Sequence, residues 1–321
     1  MGSPLSVVIF SKDRAAQLDL CLSSLYKNFK VFSDIWRIEV IYKASSKEFE
    51  EGYSILKQYW ENQGVSFSNE HSNNHDDIAN LFQDINRMGA NPFKIALEGS
   101  MRRWGKFVVF FTDDDIAYKK LEPDCFAEIE KELSDPNFMC VSFRLGVNTF
   151  VQDQYRNTNC AVPDEVIAQT STIKRWSWQE QEKDTNFAYP FSLDGHIFNS
   201  SLAKQIIQNS RGYHNPNSLE NKAQIYVETG VFKQHLSNLL QKMPGDMGCF
   251  ENSYIINTPV NRVQETFKNS AGIFFEQGAN DLNKNFLRGR RLDLETMDFS
   301  TIIGTHQEMK LKWKNTTDSM K

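Results

Sequence analysis

The sequence predicts an α/β fold, a mostly parallel and doubly wound sheet in which strands alternate with helices. Three observations predict it. The first apolar run, Leu5-Ser6-Val7-Val8-Ile9-Phe10, is followed by apolar residues at helical spacing, Leu18, Cys21, Leu22 and Leu25. A strand-like run recurs at Ile38-Glu39-Val40-Ile41-Tyr42, followed by a helical pattern. A third run, Phe107-Val108-Val109-Phe110-Phe111, has no polar residue, as expected of a strand covered on both faces. Ligands of such sheets sit beyond the carboxyl ends of the strands, which directs attention to Ser11–Arg14 and Asp113–Asp115.

Between the strands, Tyr53–Trp60 and Ile78–Met88 read as helices. The second half is less regular. Trp176, Trp178, Phe187, Tyr189 and Phe191 crowd around Pro190, as either a sugar-stacking platform or core. Ser192-Leu193-Asp194-Gly195-His196 leads into a helix near Leu202–Ile207, and Tyr213 to Glu220 is an ordered turn followed by helical segments through Leu240. Residues 281–321, with Lys284, Arg288, Arg290 and Arg291, are expected to form a helix or extended arm packed on the domain.

Composition narrows the function. The 321-residue chain carries a formal net charge of −5, leaving no global basic excess for a nucleic-acid partner. Five scattered cysteines show neither a disulfide ladder nor zinc spacing and fit a reducing compartment. No leader pattern and no long uncharged apolar run is present, so the expectation is a cytoplasmic protein with no transmembrane segment.

The run Asp113-Asp114-Asp115 carries the chemistry. Adjacent carboxylates repel unless a cation or water neutralises them. If the strand continues, Asp113 and Asp115 share a face and Asp114 points away. Hard oxygen ligands of this kind suit Mg²⁺ or Mn²⁺ carrying a diphosphate. The plain alternative is a solvated turn. Similarly, Asp13 is either a ligand contact or a helix N-cap, whereas a cation at a helix start, such as Arg14, is disfavoured unless it meets an anion.

A first strand ending in Ser11-Lys12-Asp13-Arg14, a helix opening Ala15-Ala16-Gln17-Leu18 and a mid-chain strand running into Thr112-Asp113-Asp114-Asp115 together resemble the family 2-like, nucleotide-sugar-dependent glycosyltransferases of the GT-A fold, over residues 5 to 230. The resemblance implies a nucleotide-sugar-binding half (1–118), an acceptor-binding and catalytic half of the same domain (119–280), and a C-terminal extension (281–321). It implies that Ser11, Asp13, Arg14, Asp113 and Asp114 meet the nucleotide, and that Asp115, supported by Asp113, holds Mn²⁺ or Mg²⁺. Three consecutive acids leave that frame open by one position. Arg262 would reach the diphosphate, or else form a surface salt bridge. The base that activates the acceptor would be Glu220, opening a helix where the family has a Glu-Asp pair but followed here by Asn221, or Asp194 beside Gly195. For these two the plain readings are a first-turn acid and a turn residue. His196 and His214 stand near the candidate acids; His235 and His306, the only later histidines, lack a supporting motif.

The implied reaction moves a sugar from a nucleoside diphosphate sugar, with UDP preferred on family frequency, to a hydroxyl of a glycan or glycolipid in surface polysaccharide synthesis. It inverts the anomeric centre if either acid faces the acceptor, and otherwise retains it. The rival from another class is a non-catalytic carbohydrate- or nucleotide-binding module on the same fold. A phosphatase-like hydrolase would want Thr or Val where Ala117 stands, and a nucleotidyltransferase would want a glycine-rich loop after the first strand. The basic tail leaves room for peripheral contact at the inner face of a membrane.

Overall fold

A computed structural model describes residues 3–70, 91–153, 158–233, 240–263, 272–275 and 277–315. The first half runs β1 (Leu5–Lys12), α1 (Ala15–Asn28), β2 (Trp36–Lys43), α2 (Lys47–Trp60), β3 (Val65–Asn69), α3 (Pro92–Met101), β4 (Phe107–Thr112) and β5 (Asp115–Ala117). The helix expected at Ile78–Met88 lies outside the described residues. The second half runs α4 (Cys125–Glu132), β6 (Phe138–Ser142), β7 (Val151–Asp153), β8 (Thr158–Asn159), α5 (Asp164–Ala168), β9 (Lys174–Ser177), β10 (His196–Asn199), α6 (Ser200–Asn209), α7 (Pro216–Glu228), β11 (Val231–Lys233), β12 (Leu240–Lys242), β13 (Asp246–Cys249), β14 (Ile255–Asn257), α8 (Ala279–Leu287), β15 (Arg290–Leu292) and β16 (Trp313–Asn315).

The main sheet has eight strands in the order β3-β2-β1-β4-β10-β6-β13-β9. β1 pairs in parallel with both β2 and β4, while β10 is antiparallel to β4 and β6. The expected Rossmann-like, mostly parallel doubly wound sheet is the one found. Alternation along the central strands sorts the core onto its two faces. Val7, Ile9, Val109 and Phe111 join the cluster containing α1 and α2, whereas Val8, Phe10, Val108 and Phe110 join the one containing α3, α6 and α7. The chain winds from β1 outward to β3 and then crosses to the other side of β1 with β4. The carboxyl ends of β1 and β4 are therefore the topological switch point, the place where ligands of such sheets bind.

Three expectations change in the second half. A short strand, β10, stands between Gly195 and α6 rather than a direct entry into a helix. Asn215 caps α7, its side chain accepting from Ser218 N, and Pro216 is the first helical residue, so Glu220 lies in the second turn and does not open the helix. The helix ends at Glu228, before Gly230 in the left-handed region at φ 73°, and Val231–Lys233 pairs antiparallel with Leu240–Lys242 instead of continuing the expected helix; residues 234–239 lie outside the described residues. Trp176, Trp178, Phe187 and Phe191 are core, with the indoles donating to Phe187 O and Pro244 O. The C-terminal region packs as expected: Leu282, Phe286, Leu292, Met309 and Leu311 belong to the α1-side core. All five cysteines are buried and free.

Candidate functional site

At the switch point, β1 delivers Arg14 and β4 delivers the three acids. Asp13 adopts φ 56°, a left-handed turn that Asp tolerates, and sends the chain from β1 into α1. Its Oδ1 accepts from Ser45 N at 2.7 Å, so it does not cap α1; Arg14 occupies the N-cap position without a side-chain cap. Ser11 is likewise turned inward, its hydroxyl 2.6 Å from that of Tyr53. Arg14 Nη1 donates to Asp113 Oδ1 and Asp114 Oδ2, both at 2.9 Å, and its other nitrogens bond Asn261. The anion that a cation at this helix start requires is thus the pair of carboxylates after β4.

β4 ends at Thr112 and the chain turns, so the face-sharing expected of Asp113 and Asp115 is not realised. Asp113 and Asp114 converge on one guanidinium, while Asp115 folds back to accept from Thr112 N at 2.8 Å and from Asn257 Nδ2 at 3.1 Å. Asp113 Oδ2 accepts from Lys12 N, and Asp114 Oδ1 from Thr112 Oγ1 and Asn257 Nδ2. Asp114 is 8% exposed and Asp115 1%.

The two candidate bases from the second half join the same network. Asp194 Oδ1 accepts from Thr112 Oγ1 at 3.0 Å, and its Oδ2 accepts from Arg144 Nη1 at 3.1 Å. Gly195, at φ 71°, makes the turn that places Asp194 there; a Cβ at this position would meet Ile255 Cδ1 at 2.1 Å. Glu220 Oε1 accepts from Ser192 Oγ and Leu193 N, both at 2.9 Å, so it buttresses the turn that carries Asp194. His306, for which no local sequence signal existed, comes to the same place. Its segment pairs with β14 at Asn257, and its Nε2 lies 3.5 Å from Asp194 Oδ2 with the side chain 44% exposed. Arg262 is exposed on the stretch after β14, with no ion pair among the described residues. His196 is core, neutral because burial and then Arg144 push it down to about 3, with Nδ1 3.6 Å from Cys140 Sγ. His214 is exposed, and His235 lies outside the described residues.

Among the described residues, five carboxyls, Asp113, Asp114, Asp115, Asp194 and Glu220, are joined in this network by two guanidiniums, Arg14 and Arg144. Burial, only partly offset by Arg14, pushes Asp113 up to about 6. Burial, then Asp194 and Asp114, hold Asp115 well above the usual carboxylate range. Glu220 is raised by burial and by Asp194. Asp194 differs: burial works against its charge, but the bond from His306 and the charges of Arg144 and His306 prevail and hold it down at about 2. The hydroxyl of Thr112 has one hydrogen for two carboxyls, Asp114 and Asp194, so one contact lacks it unless one acid is protonated. An acidic cluster short of positive charge is a donor set that fits a hard divalent cation. Among the described residues, no three His, Cys, Asp or Glu side chains are already spaced around a metal position.

No family model matches the chain, and no curated protein does. Solved structures similar to it include Staphylococcus aureus TarS 1-349, at 14% identity and TM-score 0.41, covering 79% of this chain and 60% of that one. The mannosyltransferase PcManGT from Pyrobaculum calidifontis, in complex with GDP-Man and Mn²⁺, is 17% identical with a TM-score of 0.30, covering 44% of this chain and 35% of that one. GalNAc-T7 with UDP, GalNAc and Mn²⁺ is 11% identical with a TM-score of 0.37, covering 78% of this chain and 45% of that one. The chain thus spans about 60% of the length of the first of these structures. Among the described residues no helix is long and apolar enough to cross a membrane.

Proposed function

We propose that the chain is a glycosyltransferase that moves a sugar from a nucleoside diphosphate sugar, UDP for preference, to a hydroxyl of a glycan or glycolipid acceptor, with inversion. The observation that carries this reading is the meeting of Arg14, Asp113, Asp114 and Asp115 at the β1/β4 switch point, with Asp194 bonded to the same Thr112 hydroxyl. Mn²⁺ or Mg²⁺ would be held by Asp114 and Asp115, whose Oδ1 atoms share the Asn257 amide, with His306 on the adjoining segment. A bound divalent ion supplies charge stabilisation to the departing diphosphate. Asp113 then keeps Arg14 in place, and Arg262 is free to meet the diphosphate.

Of the two candidate bases, Asp194 is the one held ionised, while Glu220 is pushed towards its protonated form and holds the 192–194 turn. As the bond from the acceptor oxygen to the anomeric carbon forms, that hydroxyl becomes acidic and its proton passes to Asp194. Attack opposite the leaving diphosphate inverts the anomeric centre. The setting is the cytoplasmic side of a membrane, in surface polysaccharide synthesis. The test is release of nucleoside diphosphate from a panel of donor sugars with Mn²⁺. Turnover of one donor, reduced about 100-fold or more in Asp194→Asn, supports the assignment.

A second reading has its own support. Every oxygen of the triplet already accepts a protein hydrogen bond, as expected if the cluster only braces a sugar- or nucleotide-binding module. Donor binding without turnover of any donor would favour that module.

A further inference from the structure

Thr112, the last residue of β4, bonds the acids of both halves of the candidate site. Its backbone pairs with Phe10 of β1, and Asn257 Nδ2 donates to its Oγ1 at 3.1 Å. The oxygen is therefore held by a β-branched side chain with few rotamers and by an amide from β14. Its hydrogen alone is free to turn. Two carboxylate oxygens stand within reach of that hydrogen, Asp114 Oδ1 at 2.8 Å and Asp194 Oδ1 at 3.0 Å. Among the described residues no other side chain bonds both acids.

The two acids depend on that hydrogen unequally. Asp114 Oδ1 also accepts from Asn257 Nδ2 at 2.9 Å, and its Oδ2 accepts from Arg14. Asp194 Oδ2 faces Arg144 and His306, but among the described residues its Oδ1 has no donor besides Thr112. With the hydrogen turned to Asp114, the Asp194 carboxylate is held at one oxygen; with the hydrogen turned to Asp194, it is held at both. Each carboxylate oxygen has two lone pairs, and those of Asp114 Oδ1 are both in use, by Thr112 and Asn257. A cation accepted by this oxygen therefore displaces a donor from it. The hydroxyl is the donor with a second carboxylate already in range, and the exchange moves no heavy atom.

We propose that Thr112 is a positioning residue that couples the two acids. Its hydroxyl serves Asp114, the shorter contact, when no cation is bound, and turns to Asp194 Oδ1 when a divalent cation takes Asp114, so that the candidate base is pinned at both oxygens only in the loaded site. The inference rests on the transferase reading for the cation and for the role of Asp194. The test is calorimetric titration of Mn²⁺ alone into the full chain, as wild type, Asp194→Asn, Thr112→Val and the double variant. Loss of the Asp194 charge weakens Mn²⁺ binding through space in either background, and the cycle isolates the part carried by the hydroxyl. Because a hydrogen bond to a charged group is strong, Asp194→Asn should weaken Mn²⁺ binding by a factor about tenfold larger in the Thr112 protein than in Thr112→Val. Thr112→Ser, which keeps the hydroxyl, should behave as wild type in the same cycle, and Thr112→Ala repeats the comparison should the valine variant fail to fold. Equal factors with and without the hydroxyl would overturn the coupling and leave the transferase reading standing. A wild-type chain that takes up no Mn²⁺ would instead overturn the metal assignment of that reading, and the coupling with it.

Discussion

Stability should fall as the pH rises from 4 to 6, and Asp113 should account for a defined share of the fall. Its carboxyl is buried beside Asp114, and despite Arg14 its folded value rises from 3.8 to about 6. The folded protein therefore holds this proton more tightly than the unfolded chain. The stabilisation is fully present below about pH 4 and is lost as the pH passes through about 6. At about 1.4 kcal/mol per pKa unit, the loss is on the order of 3 kcal/mol. Asp115 and Glu220, also raised, add to the slope, and Glu70, raised to about 7 by burial at the end of β3, extends it upward. Asp194 works in the opposite sense at lower pH. Held at about 2, it adds stability above the usual carboxylate range and loses it as the pH falls towards 2, outside the window. The assay is urea unfolding at half-unit steps from pH 4 to 8 on wild type and Asp113→Asn. The variant is expected to lose about 3 kcal/mol of the drop between pH 4 and 6, whatever its absolute stability. Parallel curves for the two proteins would refute the assignment of a buried, raised Asp113.

Three further outcomes follow from the same contacts. Arg14→Leu leaves Asp113 and Asp114 without their shared cation and should cost about 3–5 kcal/mol by urea unfolding at pH 7.5; a loss below about 1 kcal/mol would mean that the acids are neutralised otherwise. Gly195→Ala forces a left-handed φ and a Cβ against Ile255, so it should cost about 1–3 kcal/mol and lower turnover by moving Asp194, read from melting and from donor turnover. Mn²⁺ at pH 7.5 should raise the melting temperature of wild type and leave that of Asp114→Asn unchanged, since ligand binding to the folded state alone is stabilising.

Much of the framework was legible because it is local. Uninterrupted apolar runs at β1 and β4 and the helical spacing of α1 placed Arg14 and the acids at the strand ends, where the switch point lies. The orientation of the triplet was not legible, since alternation applies only while the strand continues and the chain turns after Thr112. Glu220 was displaced by one turn although the Asn215-Pro216 cap signal was in the sequence, and Thr229-Gly230 likewise marked the end of α7. His306 could not have been found locally. Its place depends on the return of the chain along β14, a contact some fifty residues away in sequence, and on the turn that Gly195 gives Asp194.

The central claim is that the acidic crevice binds a nucleoside diphosphate with a divalent ion. Calorimetric titration of UDP, GDP and CMP, with and without Mn²⁺, on wild type and Asp114→Ala tests it most directly. The account predicts Mn²⁺-dependent binding of one nucleotide, UDP first, that the substitution abolishes. Absence of binding by all three with Mn²⁺ present, or binding that is indifferent to both the ion and Asp114, would contradict it.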